Sequence, residues 1–324
     1  MENIILASQI GEKDVTEMRK AYCRCMMALA EQDPRIVALD ADLMSAMGMK
    51  PFAEKYPDRM VDCGIQEANM IGVACGLAVQ GKIPFAHTFA PFCTRRACDQ
   101  IFLSAAYNRA NVKIIGSDPG ITAAYNGGTH MPFEDMGIMR GIPTMTVLEP
   151  TDIVMLESLL PQMAAANGVM YMRLVRKGVK KVYEAGSQFE IGKAARLLPG
   201  RDVMLIASGY CVSEALEAAQ LLRQEGIEAG VMDMFTWKPL DREAVLEAAV
   251  CGAIVTAENH NVINGLGSAV AEVLVQNRPV PMEMVGVKDE FGEVGPVDYL
   301  RERFGLTAEA IAAAARRAVA RKAQ

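Results

Sequence analysis

The sequence predicts an α/β protein of two domains. Three observations lead there: short apolar runs alternate with amphipathic stretches, a polar break falls past the middle, and the chain is long. At 324 residues it exceeds the roughly 100–200 residues of a typical domain, so two cores are expected. The short runs are continuously apolar rather than alternately polar, the pattern of strands buried on both faces of a parallel sheet.

The first domain opens with a helix over 15–31, for which Asp14 is the expected N-cap, and continues with a buried strand over 35–43. Glu67 then starts an apolar helix of small residues that includes Gly72, Ala74, Gly76 and Ala78. After it the spacing predicts a strand over 83–89, a helix over 91–107, strands over 112–117 and 144–149, a helix over 152–164 and a strand over 169–175. The connection from Ile115 to Pro132 is long and rich in Gly, Asn and Thr, which marks a functional loop. A polar stretch over 177–188 breaks the alternation, so the boundaries are drawn as domain 1–178, linker 179–189 and domain 190–324. In the second domain strands are expected over 202–208, 229–234, 253–258 and 283–287, with helices from Ser213, Asp241, Gly265 and about Ala308.

Composition narrows the function. A hydrophobic content of 51% with 22% charged residues fits a globular chain, and a net charge of −6 offers no basic field for nucleic acid. No apolar run reaches the roughly 20 residues of a membrane span, and the N-terminal segment MENIILASQIGEKD has no secretory pattern. A cytoplasmic protein with no membrane or nucleic-acid partner is expected. The eight cysteines form no CxxC pair, and the three histidines, His87, His130 and His260, are too scattered for a protein-only metal site.

Within Gly-Ile-Gln-Glu-Ala-Asn-Met, residues 64–70, Glu67 is the single carboxylate, and it has two local explanations. An acid at a helix start is stabilised by the macrodipole by about 0.3–1 kcal/mol; an acid on a closely packing helix can also be a tuned catalytic group. Other segments decide between them: HTFAPF with Phe89 and Phe92, YNGGTHMP with His130, and ENHNVINGLGSAVAE and DEFGEVG in the second domain. Together they resemble the transketolase family of thiamine diphosphate enzymes. The resemblance covers nearly the whole chain, about 14–317, and is closest to the C-terminal subunit of a two-chain transketolase.

That resemblance implies the fold and the roles. The fold would be a parallel-sheet pyrimidine-binding domain followed by a transketolase C-terminal domain. Glu67 would hydrogen-bond the cofactor's aminopyrimidine ring as its proton relay, Phe89 and Phe92 would pack against that ring, and Ile65 and Asp42 would complete the cofactor contacts. His130 would work catalytically beside the reacting carbon and touch substrate. Arg19 and Arg176 would grip a terminal anion of the sugar, with Asn126 and His87 in the same substrate-binding set.

Four positions depart from the family pattern: Ser117 replaces a histidine, Ala46 a serine, Arg95 a tyrosine and Asn126 an aspartate. They imply a donor other than an ordinary pentose phosphate, such as a sulfonated or branched sugar. The Gly-Asp-Gly motif that opens the family's diphosphate and metal site is absent. A separate N-terminal subunit would therefore hold the diphosphate through Mg2+ or a similar divalent ion, in an α2β2 assembly. Two other readings stay open: the β subunit of a 2-oxoacid dehydrogenase, against which the GGTH loop and the DEFGEVGPVDYLRERFGL segment speak, and a non-catalytic partner that keeps the fold. Glu258 and His260 are assigned no catalytic role.

Overall fold

The computed structural model describes residues 3–323; Met1 and Glu2 of the N-terminal segment, and Gln324, lie outside the described residues. The strands are β1 (Ile36–Asp40), β2 (Met60–Asp62), β3 (Ile83–Phe89), β4 (Lys113–Ser117), β5 (Thr146–Leu148), β6 (Met170–Leu174), β7 (Ala195–Leu198), β8 (Val203–Ala207), β9 (Ala229–Asp233), β10 (Thr236–Lys238), β11 (Ile254–Asn261) and β12 (Met282–Val287). They form a seven-stranded sheet in the order β10-β5-β6-β4-β3-β1-β2 and a five-stranded sheet in the order β12-β11-β8-β9-β7. Pairing is parallel except at β10 and β7, which run antiparallel on β5 and β9.

Every residue of β1, β3, β4 and β6 is buried, which is why these strands read as unbroken apolar runs. Their two faces feed different cores. Ile36 and Ala38 pack with helices Met18–Gln32 and Ile153–Ala165, whereas Val37 and Leu39 pack with helix Glu67–Val79 on the other side.

Three expectations are corrected. The first helix begins at Met18, and the Asp14 carboxylate accepts from the Thr16 N–H at 2.8 Å, a local turn that draws it away from capping. The helix expected over 91–107 is broken into Ala90–Thr94, Cys98–Gln100 and a widened π-helical segment, Ile101–Tyr107, that leaves Phe102, Leu103 and Tyr107 outward. Strands β2, β7 and β10 have no expected counterpart, because runs of three or four residues carry too little periodicity to stand out.

The N-terminal segment and the linker brace each other through bridges of Leu6 with Tyr183 and Lys13 with Lys180. Asp152 caps helix Ile153–Ala165 with one oxygen, on Met155 N–H at 3.0 Å, and with the other accepts from the linker N–H groups of Val182 and Tyr183.

The junction between the sheets is polar and fully buried. Arg173, in β6, donates from Nε to Glu149 Oε1 at 2.9 Å, from Nη1 to Asp135 Oδ1 at 2.9 Å and from Nη2 to the Asn259 carbonyl at 3.0 Å. Ser208 and Tyr171 satisfy the remaining oxygens of Glu149 and Asp135 at 2.6 and 2.7 Å. Burial opposes the Arg173 charge, but the Glu149 and Asp135 carboxylates outweigh it and hold its pKa above the ordinary value. Nearby, Asp233 accepts from Thr151 and Tyr183 hydroxyls at 2.5 and 2.7 Å, and burial pushes its pKa up to about 8.

Arg173→Met strands two buried carboxylates and should cost about 3–5 kcal/mol in urea denaturation. For Asp233, the folded pKa near 8 stands above the ordinary 3.8. The native state therefore keeps a proton that the unfolded chain releases between those values, and stability falls as pH rises across that window. Asp233→Asn should flatten that part of the stability–pH curve, measured by denaturation at a series of pH values.

Candidate active site

Parallel strands of an open sheet present ligands at their carboxyl ends, and the predicted residues gather at that edge of the first sheet. Asp40 at the end of β1 pairs in register with His87, and Phe89 at the end of β3 pairs with Ser117 at the end of β4. Past β3, Pro91 opens the short helix Ala90–Thr94 and sets Phe92 one turn beyond Phe89. The two rings lie 6.0 Å apart, and His130 stands edge-on to both, 5.0 Å from Phe92 and 6.0 Å from Phe89.

Two guanidinium groups cover this aromatic pair. Arg176 lies 5.3 Å from the Phe89 centroid and Arg96 lies 4.3 Å from that of Phe92. Arg96 also donates from Nη1 to Glu67 Oε1 at 2.7 Å. Glu67 opens helix Glu67–Val79 and is only 1% exposed. Its second oxygen, Oε2, is buried and has no hydrogen-bond partner among the described residues. An unmet buried acceptor costs roughly 1–3 kcal/mol, more when charged, and this atom is able to accept from a donor outside the chain.

The arginines and the family departures touch one another. Arg176 donates to Asp118 at 3.0 Å, and Ser117 donates to the other oxygen of Asp118 at 2.9 Å. Asp118 has φ +60°, and burial raises its pKa against the opposing pull of Arg176. Arg19 pairs with Glu17 at 2.8 Å and donates to the Ala46 carbonyl at 2.8 Å; its own N–H reaches the Arg176 carbonyl at 3.4 Å. Arg95 donates to the Thr129 carbonyl at 2.9 Å, and its Nε lies 3.0 Å from Glu134 Oε1, though outside hydrogen-bonding angles. The Thr129 hydroxyl meets His130 Nδ1 at 2.9 Å.

The loop carrying His130 is held by the second domain. A Cβ on Gly128 would stand 2.2 Å from the Gly292 carbonyl, and one on Gly127, at φ +75°, would stand 2.8 Å from Val294. Asn259 accepts from Ile121 N–H at 3.0 Å, and Phe133 packs on Phe304 with ring centroids 5.1 Å apart. The DEFGEVG segment thus braces the loop. Glu258 accepts two backbone N–H groups at the start of helix Leu266–Asn277, and burial raises its pKa to about 8. His260 sits between the Gly137 N–H and the Asn261 carbonyl with its pKa pushed down to about 4 by burial, as a neutral ring in a structural place.

Not every predicted residue joins the cluster. His87 is fully buried, 3.0 Å from Asp40 without hydrogen-bonding angles and 5.9 Å from the Tyr22 ring, and neither of its ring nitrogens has a hydrogen-bond partner among the described residues. Asp42 is exposed at φ +60° beyond β1, and Ile65 is exposed two residues before Glu67. Asn126 is exposed too, and with Arg176 it lines a cavity of about 610 Å3 between the domains. Arg96 and Asp118 were missed by sequence reasoning; the doubled arginine after Phe92 was the available signal.

An aminopyrimidine ring fits what is present, since a ring nitrogen that carries a proton can donate to Oε2 and the Phe89 and Phe92 rings supply aromatic surface. No cluster of three or more His, Cys, Asp or Glu able to hold a metal occurs among the described residues. Gly128→Ala, by colliding with the Gly292 backbone, should displace His130, reduce turnover at least tenfold and lower the thermal midpoint as well, since backbone rather than a flexible side chain must give way. Kinetics beside calorimetry check this.

Comparison with known families matches residues 14–181 to the transketolase pyrimidine-binding domain and residues 192–311 to the transketolase C-terminal domain. The 6-deoxy-6-sulfo-D-fructose transketolase subunit SqwH of Clostridium sp. is 53% identical, covering 94% of this chain and 95% of that one. A subunit of the apulose-4-phosphate transketolase of Phocaeicola vulgatus is 36% identical, covering 90% and 94%. A solved split gene transketolase, an inactive beta4 tetramer, superposes with a TM-score of 0.87 at 43% identity, covering 94% of this chain and 99% of that one. The chain belongs to the transketolase family, as the part of a split enzyme that carries the pyrimidine-binding and C-terminal domains.

Proposed function

We propose that this chain, with a separate diphosphate-binding subunit, transfers a two-carbon ketol unit from an anionic ketose to an aldose. The observation that carries the reading is the buried Oε2 of Glu67, unpartnered among the described residues, on a carboxylate joined through Arg96 to the Phe92 ring, which meets the edge of His130. Bound thiamine diphosphate supplies the nucleophilic carbon that cleaves and re-forms the carbon–carbon bond. The chain's residues do the rest.

Glu67 accepts a hydrogen bond from the pyrimidine ring and moves its proton. Phe92 and Phe89 give that ring a flat seat, and Ile65 and Asp42, both exposed, contact the remainder of the cofactor or its partner-subunit surroundings. His130, steadied by Thr129, hydrogen-bonds substrate oxygens near the reacting carbon. Arg19 and Arg176 take the terminal anion, and Asn126 reads a hydroxyl where an aspartate would otherwise stand. Mg2+ prefers several hard oxygen ligands together with phosphate, and we assign that set to the N-terminal partner. The assembly is α2β2, the compartment the cytoplasm, and the domains divide at 1–178, 179–189 and 190–324.

A sulfonated ketose is the favoured donor. Support comes from the 53% identity to a sulfofructose transketolase subunit and from Ser117, whose hydroxyl reaches Arg176 through Asp118. These relatives are named as transketolases, which favours ketol transfer over 2-oxoacid decarboxylation. Glu67, poised with a free oxygen, disfavours a non-catalytic partner. The inactive state of the related beta4 assembly supports the need for a second subunit.

With the partner subunit present, Glu67→Gln should lower turnover at least 100-fold; near-normal turnover would sink the assigned relay. In the same complex, 6-deoxy-6-sulfo-D-fructose should exceed unsubstituted fructose as donor by at least tenfold in kcat/KM, and equal values would remove the anion-binding role of Arg19 and Arg176.

A further inference from the structure

We infer that Arg96 is a positioning residue: it occupies Oε1 of Glu67 and lies on Phe92, so that Oε2 alone is presented to the cofactor's pyrimidine ring. This rests on the proposed role of Glu67 and adds the element that aims it.

The pair is unequal. Glu67 is 1% exposed by side chain, whereas Arg96 is 48% exposed. A surface arginine therefore reaches inward to a buried acid, and the acid has no other protein partner among the described residues. The terminal torsion of a glutamate is broad and roughly two-fold, so a carboxylate without an anchor would rotate and exchange its two oxygens. A guanidinium removes that freedom because it is flat. It can rest its face on a ring, here 4.3 Å from the Phe92 centroid, while donating in its own plane to one oxygen, here at 2.7 Å.

Phe92 also meets the edge of His130, 5.0 Å away. Arg96 thus joins the acid to the ring that His130 meets. An ammonium has neither the flat face nor the fork, so lysine at this position would keep the charge and lose the aim.

The test uses the assembled two-subunit enzyme. Arg96→Ala should reduce kcat about 100-fold, the scale of an ångström of misplacement, with KM for the ketose within about twofold. Thiamine diphosphate affinity, measured by calorimetry, should fall about tenfold. Arg96→Lys should behave like the alanine variant, and millimolar guanidinium should restore part of kcat to Arg96→Ala. In a Glu67→Gln background the Arg96→Ala change in cofactor affinity should vanish, since the two residues act as one unit.

An equal loss of affinity in both backgrounds, or full activity of Arg96→Lys, would overturn the proposal. If Arg96→Ala proves too unstable to assemble, Arg96→Lys and Arg96→Gln carry the same comparison. Failure of the underlying reading looks different: Glu67→Gln would then leave both turnover and cofactor affinity unchanged, whatever the Arg96 variants do.

Discussion

Arg173 is the constraint on which the remaining structure depends. A guanidinium with no contact to water must direct its donors to the protein, and here they reach three separate elements: the end of β5 through Glu149, the helix after the histidine loop through Asp135, and the second domain through the Asn259 carbonyl. A buried ionic set of this kind adds little net stability over an apolar core of equal volume. What it adds is direction. Arg176 follows three residues after Arg173 along the same strand exit, and His130 precedes Asp135 by five, so both sides of the candidate site are referred to one fixed group.

The second domain contributes shape to the site without contributing a catalytic group. Glycine at 128 lets two backbones approach to a distance no side chain tolerates, and Asn259 binds the chain near Ile121 from the same side. The histidine loop is thereby supported along its length by residues more than a hundred positions away. A related pattern marks the two arginines: Ala46 engages Arg19 through its carbonyl, and Ser117 engages Arg176 through Asp118.

Much of the fold was legible because buried parallel strands announce themselves as apolar runs; β3 and helix Ala308–Ala320 fall where spacing placed them. The short strands did not, since three residues such as Thr236–Lys238 acquire strand character only from the neighbour they pair with. Within the site, Glu67, Phe92 and His130 could be singled out by residue type and context. Their connection through Arg96 could not, because Arg96 and Glu67 are 29 residues apart and no local pattern links them. The full burial of His87 was not legible either, because a histidine beside an aromatic motif looks exposed until its strand is seen covered on both faces. Arg173 carried a readable sign, a lone charge inside the apolar run MYMRL.

The placement of β10 alters what the linker means. This strand belongs to the second half of the sequence, yet it closes the outer edge of the first sheet by pairing with β5. Removing everything after the linker would bare that edge, and an unpaired edge recruits strands from other molecules. The covalent boundary is therefore not a physical one. Protein engineers who graft the first half onto another scaffold must carry along Thr236–Lys238 or supply a substitute edge, because the halves share a hem.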